Sequence, residues 1–324
     1  TGLPKFAIKD RELRKSNFSY WEEDVNGLSY SLERKSNEIE NFFQPHFEFL
    51  NELKLSDKLT LNNTLFMVIG EGYFDYDASW ADTNYFRLNS EYGFSPSNPT
   101  NSTIRAMVNN LQYGWLPRLL IKHNGGELIL GGELRKHSSK HWGSILYGAN
   151  LPDEITPDYR YYYYEGGKDI INFFVNEKYE LSARINLFAE GQLAYHKYKI
   201  GNEKFLNNNF SISNLFFNTR LGVSFKLNGS IDLYSSYANV TREPRLKNYY
   251  DAAESSGGAV PQFKFTNGNY DYSEPLVKPE SMSSFELGIK YDNENISTTV
   301  NSYYMNFSNE IVSQGQIDRF GQPI

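Results

Sequence analysis

Apolar and polar residues alternate with a period of two along much of the chain. In SNLFFNTRLGVSFKL, residues 213–227, single polar or small residues separate the apolar side chains Leu221, Val223 and Phe225. The same alternation recurs in the segments 127–137, 185–196 and 283–291. Successive side chains of a β-strand point to opposite faces of its sheet. Each segment is therefore predicted to be a strand with one apolar and one polar face.

Short turn signals alternate with long polar segments along the chain. Short turns are predicted at Ser56–Lys58, His123–Gly126, Ser182–Ala183, Asn228–Gly229 and Asp292–Asn295. The long segments, which are rich in aromatic residues, are 70–103, 144–167, 200–212 and 242–279. The ten candidate strands between them are about 45–54, 59–69, 104–122, 127–143, 168–181, 184–199, 213–227, 230–241, 280–291 and 296–308.

The spacing of these connections predicts the fold class. Outer-membrane barrels have short turns at one rim and long loops at the other. We predict an all-β fold, an antiparallel up-and-down meander of about ten strands that is an incomplete part of a large transmembrane β-barrel. The apolar faces, which include Leu221, Val223, Phe285 and Leu287, would meet lipid, while charged residues on the opposite faces would meet water.

Composition removes several classes of protein. The 324 residues carry a net charge of −7, so general nucleic-acid binding, which needs concentrated positive charge, is not expected. An aromatic content of 16% argues against disorder. The chain has no cysteine, which excludes disulfides and thiolate metal sites. No run of about 18 apolar residues predicts a transmembrane helix, and no motif predicts a cofactor or catalysis, so an enzyme is not expected.

Three stretches resemble the barrel of TonB-dependent outer-membrane receptors. They are NTRLGVSFKLNGSIDLYSSYANVTREPRLKNYYDA (218–252), LVKPESMSSFELGIKYDNENISTTVNSYYMNFSNEIV (276–312) and an earlier hairpin at 37–80. In the second stretch Lys278, Pro279 and Glu280, followed by Glu286, Leu287 and Gly288, match the family's L-K-P-E and E-L-G positions. The plug domain and the last strands of such a receptor have no counterpart, so residues 1–324 are expected to be one partial barrel domain.

The resemblance implies a location and a function. It implies the outer membrane of a Gram-negative-type bacterium, with membrane lipid around the barrel and the TonB complex acting through the plug. It implies active uptake of a bulky, scarce ligand, of which an iron–siderophore chelate is the commonest class, while cobalamin, other chelates and oligosaccharides stay open. The alternatives are a passive porin or structural barrel, an outer-membrane barrel enzyme and a soluble carbohydrate-binding β protein.

Candidate ligand contacts lie in or beside the long segments. Planar aromatic faces and arginine forks suit a bulky anionic chelate. The candidates are Tyr73, Trp80, His137, His141, Trp142, Tyr161, Tyr163, Arg242 and Arg245.

Each candidate also has a simpler interpretation. His137 and His141 would share a strand face about 13 Å apart, too far to chelate one ion. The tyrosines of the run 159–164 would alternate between the two sides of a strand and pack at the rim. The arginines could form ion pairs with loop acids such as Asp251 and Glu254.

Overall fold

The computed structural model describes residues 8–15, 21–24, 27–30 and 39–311, and fifteen β-strands lie within them. The strands are β1 (Trp21–Asp24), β2 (Gly27–Tyr30), β3 (Ile39–Phe43), β4 (His46–Ser56), β5 (Leu59–Asp77), β6 (Thr100–His123), β7 (Gly126–Ala149), β8 (Arg160–Ser182), β9 (Ile185–Gly201), β10 (Phe210–Lys226), β11 (Ile231–Arg242), β12 (Phe263–Thr266), β13 (Asn269–Pro275), β14 (Glu280–Asp292) and β15 (Ser297–Ser308). Among the described residues, short helical turns lie at Leu13–Lys15, Ser90–Tyr92, Leu246–Tyr249 and Ala252–Gly257.

The main sheet is an antiparallel meander that does not close on itself. Its strand order is β15-β14-β11-β10-β9-β8-β7-β6-β5, and both β3 and β4 pair with β5. Turns at 57–58, 124–125, 183–184, 227–230 and 293–296 form its short-turn end, and loops 78–99, 150–159, 202–209 and 243–279 form its long-loop end. The predicted all-β meander and all ten predicted strands are confirmed.

Several strands run further toward the long-loop end than predicted. Strand β5 reaches Asp77, β7 reaches Ala149 and β8 begins at Arg160. These extensions are rich in aromatic residues, which favour strands when a neighbouring strand pairs with them. The hairpin β12–β13 forms inside the predicted loop 242–279 and was missed. Pro45 separates β3 from β4 because it has no N–H for the ladder, although its carbonyl still accepts from Ile69 N at 3.2 Å.

Side chains of the main sheet divide into an apolar face and a polar face, as the alternation predicted. In β10, Leu221 and Val223 are 53% and 41% exposed on the apolar face, whereas Arg220 lies opposite Glu190 on the polar face. In β14, Phe285, Leu287 and Ile289 follow the same rule on the apolar face. The two faces extend from β5 to β14 through continuous antiparallel register.

Buried residues concentrate where the long loops fold onto the polar face. One cluster joins Tyr85, Phe86 and Leu88 of loop 78–99 to Ile104 and Tyr162 of the sheet. A second cluster joins Tyr249, Tyr250 and Phe263 of loop 243–279 to Ile200 and Phe210. The long-loop end is therefore the best-packed part of the described chain.

Among the residues described, no helix is long and apolar enough to cross a membrane.

Candidate ligand-binding site

A cavity of about 330 Å³ lies between the polar face and loop 243–279. Strands β7, β8 and β9 contribute side chains of both polar and aromatic character. These are His137, Ser139, His141, Tyr164, Lys168 and Tyr198. The segment 246–251 contributes Leu246, Lys247, Tyr250 and Asp251. The cavity thus offers aromatic faces, imidazole nitrogens and ammonium groups to one molecule.

The two histidines lie on the same face, as their spacing predicted. The His141 ring stacks on Tyr164, with centroids 4.8 Å apart and an interplanar angle of 9°, and its Nε2 lies 2.9 Å from Ser139 Oγ. His137 is paired in register with Lys168. Within the described ranges no group of three His, Cys, Asp or Glu could hold a metal ion. Both histidines line the cavity, where their ring nitrogens can make polar contacts.

Glu243 attaches the start of loop 243–279 to the polar face. Its Oε1 accepts hydrogen bonds from Lys168 Nζ and, at 3.2 Å, from Tyr198 OH, and its Oε2 lies 3.0 Å from His196 Nδ1. Burial acts to raise the pKa of this carboxyl, but the contacts with His196 and Lys168 outweigh it and hold the pKa below its usual value. One carboxylate of the loop thereby contacts side chains of both β8 and β9.

The same charged residues belong to a longer polar row. His196 Nε2 lies 3.3 Å from Asn172 Oδ1, and Asn172 donates to Glu133 at 2.6 Å. Glu133 in turn pairs with Arg135 at 2.6 Å. The row crosses the polar face from β9 to β7 and compensates the charges there, as partly buried charges require.

Arg87 joins several loops at the other buried cluster. It is 3% exposed and has a positive φ of 55°, a conformation uncommon outside glycine. Its guanidinium donates to the Tyr161 carbonyl and, at 3.1 Å, to Ser255 Oγ. It also lies 4.2 Å from the ring centroid of Phe205. Loops 78–99, 202–209 and 243–279 therefore meet at one side chain.

A β-bulge changes the predicted alternation of the tyrosine run. Gly143 pairs with Tyr162 and Ser144 with Arg160, which leaves Tyr161 as the extra residue. A bulge leaves two residues opposite one and re-aims the side chains beside it. Tyr161 and Tyr162 consequently join the same buried cluster, and the prediction that successive tyrosines alternate between the two sides is wrong at this point. Tyr161 is fully buried and lies outside the cavity.

The other predicted ligand contacts do not line this cavity. The guanidinium of Arg105 lies over the ring of Tyr73, 3.6 Å from the centroid of that ring. Trp80 packs edge-on against Tyr85 in loop 78–99. Trp142 and Tyr163 share the apolar side of the sheet with Arg160, which lies 4.7 Å and 5.4 Å from their ring centroids.

The two predicted arginines lie at the start of loop 243–279. Arg242 pairs with Glu280 while its side chain stays 77% exposed. Arg245 is exposed at the start of the Leu246–Tyr249 turn. Of the nine predicted contacts, the structure brings only His137 and His141 together in the cavity.

Several residues of the site escaped sequence reasoning. Lys168 and Tyr198 lie within predicted strands, at positions that the alternation assigns to the polar face. The sequence pattern could therefore have indicated that their side chains face the cavity. Glu243 and Tyr250 lie in the quoted TREPRLKNYY string, but nothing local indicates that they fold back over β8 and β9. Burial raises the pKa of Tyr250 to about 12, so the phenol stays protonated and donates or accepts as a neutral group.

Comparisons with known proteins agree with this architecture. Residues 10–323 match the family described as TonB dependent receptor-like, beta-barrel. No curated protein sequence matches the chain significantly. The copper transporter OprC superposes with a TM-score of 0.58 at 13% identity, over 86% of this chain and 40% of its own. The ferric-catecholate import receptor Fiu from E. coli K12, in its closed form, gives 0.54 at 13%, over 89% and 43%.

A third solved structure is the siderophore receptor PiuA from Acinetobacter baumannii, with a TM-score of 0.54 at 12% identity, over 83% of this chain and 40% of its own. At such identities the likeness shows the fold alone. The chain spans well under half the length of these three structures.

An open antiparallel meander with one apolar face, one polar face and a rim of long loops defines a segment of an outer-membrane β-barrel. Since the family match covers nearly all of the sequence, the chain belongs to the TonB-dependent receptor family. Its place is the outer membrane of a Gram-negative cell. The family and the similar structures are receptors and transporters.

Proposed function

We propose that the protein is part of a receptor that actively imports a bulky anionic chelate of the iron–siderophore type. The observation that carries the proposal is the cavity between the polar face and segment 246–251, where stacked aromatic rings stand beside Lys168, Lys247 and two histidines. Such a chelate presents flat rings and anionic oxygens, which suit aromatic faces and ammonium groups. The similar structures Fiu and PiuA are a ferric-catecholate import receptor and a siderophore receptor, which supports this ligand class.

Energy would come from the TonB complex through a plug domain in the intact receptor. In this proposal the ligand first contacts the outer rim of the long-loop end, at Trp80, Arg242 and Arg245. The cavity then holds the ligand beneath segment 246–251. The exposed guanidinium of Arg242 is suited to that first step because it remains accessible beside Glu280.

Uptake of defined ferric chelates by cells that produce the intact receptor tests the proposal. Transport should require TonB and should disappear in a TonB-deficient strain. Uptake that continues without TonB, together with diffusion of unrelated small solutes, would instead establish a passive porin.

Binding by the purified intact receptor tests the site. Lys247→Ala combined with Tyr198→Ala should weaken binding by about tenfold or more, equivalent to about 1.4 kcal/mol. The pair Lys58→Ala and Lys122→Ala, at the short-turn end, is the matched control and should leave affinity unchanged. Equal affinity of the cavity variant and the control variant would show that the cavity does not take part in ligand recognition. A test of Arg242→Ala with Arg245→Ala would then decide whether the outer rim binds the ligand.

A further inference from the structure

A second concave region lies on the opposite side of the sheet from the proposed ligand cavity. It is an open groove of about 700 Å³ on the apolar face of β5–β9. Its wall includes Tyr113, Trp115, Leu134, Ile171 and Tyr195. Trp115 and Ile171 are 40% and 52% exposed, as other large side chains of the apolar face are. Because the groove lies in the middle of the sheet, with β6 and β10 both in place beside β7–β9, the chain itself supplies the whole of it.

Lysines border the groove on the side of the long-loop end. Lys136 follows Leu134 along β7, and Lys197 follows Tyr195 along β9, each as the next residue on the same face. Both lysines line the groove, together with Asp169, which is paired in register with each of them. Beyond them on the same face lie Lys140, opposite Glu165, and Lys199, opposite Gly167.

This concentration of positive charge is local. On the other strands, the first polar residue that follows the apolar residues of this face toward the long-loop end carries no positive charge. It is Glu71 on β5, Asn109 on β6, Ser213 on β10 and Asn239 on β11. The described strands beside β7–β9 thus carry no lysine or arginine at this position, and the whole chain has a net charge of −7. Four lysines against two carboxylates on three adjacent strands therefore form a positive patch on an acidic protein.

The apolar groove and the lysines that border it follow one another in the same order as the acyl chains and the headgroup of a membrane lipid. With the long-loop end at the outer surface, the apolar groove would lie at the depth of acyl chains, and Lys136 and Lys197, the next residues on this face, would lie at the level of headgroups. Lysine tolerates this position because its methylene stem packs along apolar surface while the charge reaches the interface. Basic residues beside a membrane attract anionic headgroups, and the exposed aromatic rings suit the same interface.

We propose that this groove binds one phosphorylated lipid of the outer leaflet. Its acyl chain lies along Trp115, Leu134 and Ile171, and its phosphate meets Lys136 and Lys197. A protein partner is disfavoured because the groove continues into the lipid-facing band. A free anion would make no use of the apolar wall. Asp169 limits the affinity, since its carboxylate repels the phosphate from between the two lysines.

Native mass spectrometry of the intact, delipidated receptor tests the site, with bis-phosphorylated lipid A as the probe. The wild-type protein should bind one lipid A molecule that is not displaced by inorganic phosphate. Lys136→Gln with Lys197→Gln should weaken binding by about tenfold or more. Lys58→Gln with Lys122→Gln removes the same charge at the short-turn end and should leave binding within about twofold.

Asp169→Asn provides the complementary test, because it should strengthen lipid A binding by about threefold or more, a gain that misfolding cannot produce. Heat-dependent gel mobility reports folding in each variant. If the double lysine variant misfolds, the charge-preserving pair Lys136→Arg and Lys197→Arg takes its place and should retain binding.

Three results would overturn the proposal. One is equal affinity in the lysine variant and its control. Another is displacement of lipid A by inorganic phosphate, which would define a simple anion site. The last is equally tight, lysine-independent binding of phosphatidylcholine, which would define a non-selective lipid contact.

Discussion

At the scale of single residues, Glu243 shows how one side chain positions a loop. It is the only carboxylate shown in contact with Lys168, His196 and Tyr198 among the described residues. Because its side chain is only 10% exposed, its charge is poorly screened by water. The ion pairs of Glu243 and the packing of Tyr249 and Tyr250 therefore both hold loop 243–279 over the cavity.

Replacement of Glu243 should loosen this loop. Glu243→Gln leaves the ammonium of Lys168 without its anion, and we expect the docking of residues 246–257 to lose about 1–3 kcal/mol, less than for a fully buried pair because Lys168 is 24% exposed. Hydrogen exchange of the intact receptor measures the loss. Glu274→Gln, which breaks the exposed pair with Lys264, is the control and should leave exchange in residues 246–257 unchanged.

The lowered pKa of Glu243 gives the same interaction a pH dependence. A carboxyl whose pKa is depressed on folding stabilises the docked loop above its ordinary pKa of about 4.3 and loses that contribution as pH falls through the lower, folded value. Amide exchange in residues 246–257 should therefore accelerate only on acidification below about pH 4. The Gln variant should lack this transition. A loop that loosens equally in both proteins would assign the effect to other groups.

At the scale of elements, the strands of the polar face approach one another closely at selected glycines. A Cβ on Gly114 of β6 would lie 2.6 Å from the backbone oxygen of Leu134 and 2.6 Å from the Phe66 ring. At Gly222 of β10 the nearest atom, on Phe188, would be 3.6 Å away. The first contact is shorter than van der Waals packing allows, and a backbone atom cannot rotate out of the way.

The two glycines should consequently respond differently to the same substitution. We expect Gly114→Ala to destabilise the barrel by about 1–3 kcal/mol, the usual cost of overpacking, while Gly222→Ala changes it by less than about 0.5 kcal/mol. Urea unfolding of the intact receptor in detergent, followed by tryptophan fluorescence, gives both values. Similar midpoints for the two variants would show that β6 and β7 can separate at little cost.

At the scale of the whole molecule, the two faces of the sheet meet different solvents. Leu221 on the apolar face and Ser236 on the polar face occupy nearly the same level, because Leu221 pairs with Tyr237 and Gly222 with Ser236. Lipid-facing arginine near the membrane midplane costs about 2–4 kcal/mol, whereas charge facing the lumen is tolerated. The face, rather than the depth, should decide the effect of a new charge.

Leu221→Arg should therefore impair membrane insertion and lower barrel stability by about 2–4 kcal/mol. Ser236→Arg, which adds the same side chain opposite Glu286, should insert normally. Assembly of the intact receptor into liposomes, scored by heat-dependent mobility, compares the two. A stronger defect in the Ser236 variant would reverse the assignment of the faces.

The sequence by itself determined ten strands of the main sheet, their two faces and the short turns between them. These features depend on neighbours one or two positions away, so the alternation around Leu221 or Leu134 was sufficient to predict them. It also carried the family resemblance, through strings such as LVKPESMSSFELG.

Only the tertiary structure decided which side chains share a site. The ion pair of Lys168 with Glu243 joins residues 75 positions apart, and the bond from Arg87 to Ser255 joins residues 168 apart. The bulge that turns Tyr161 into the buried cluster depends on how β8 pairs with Gly143 and Ser144. No local pattern encodes such contacts, because their energies arise only once the strands have paired and the loops have folded over them.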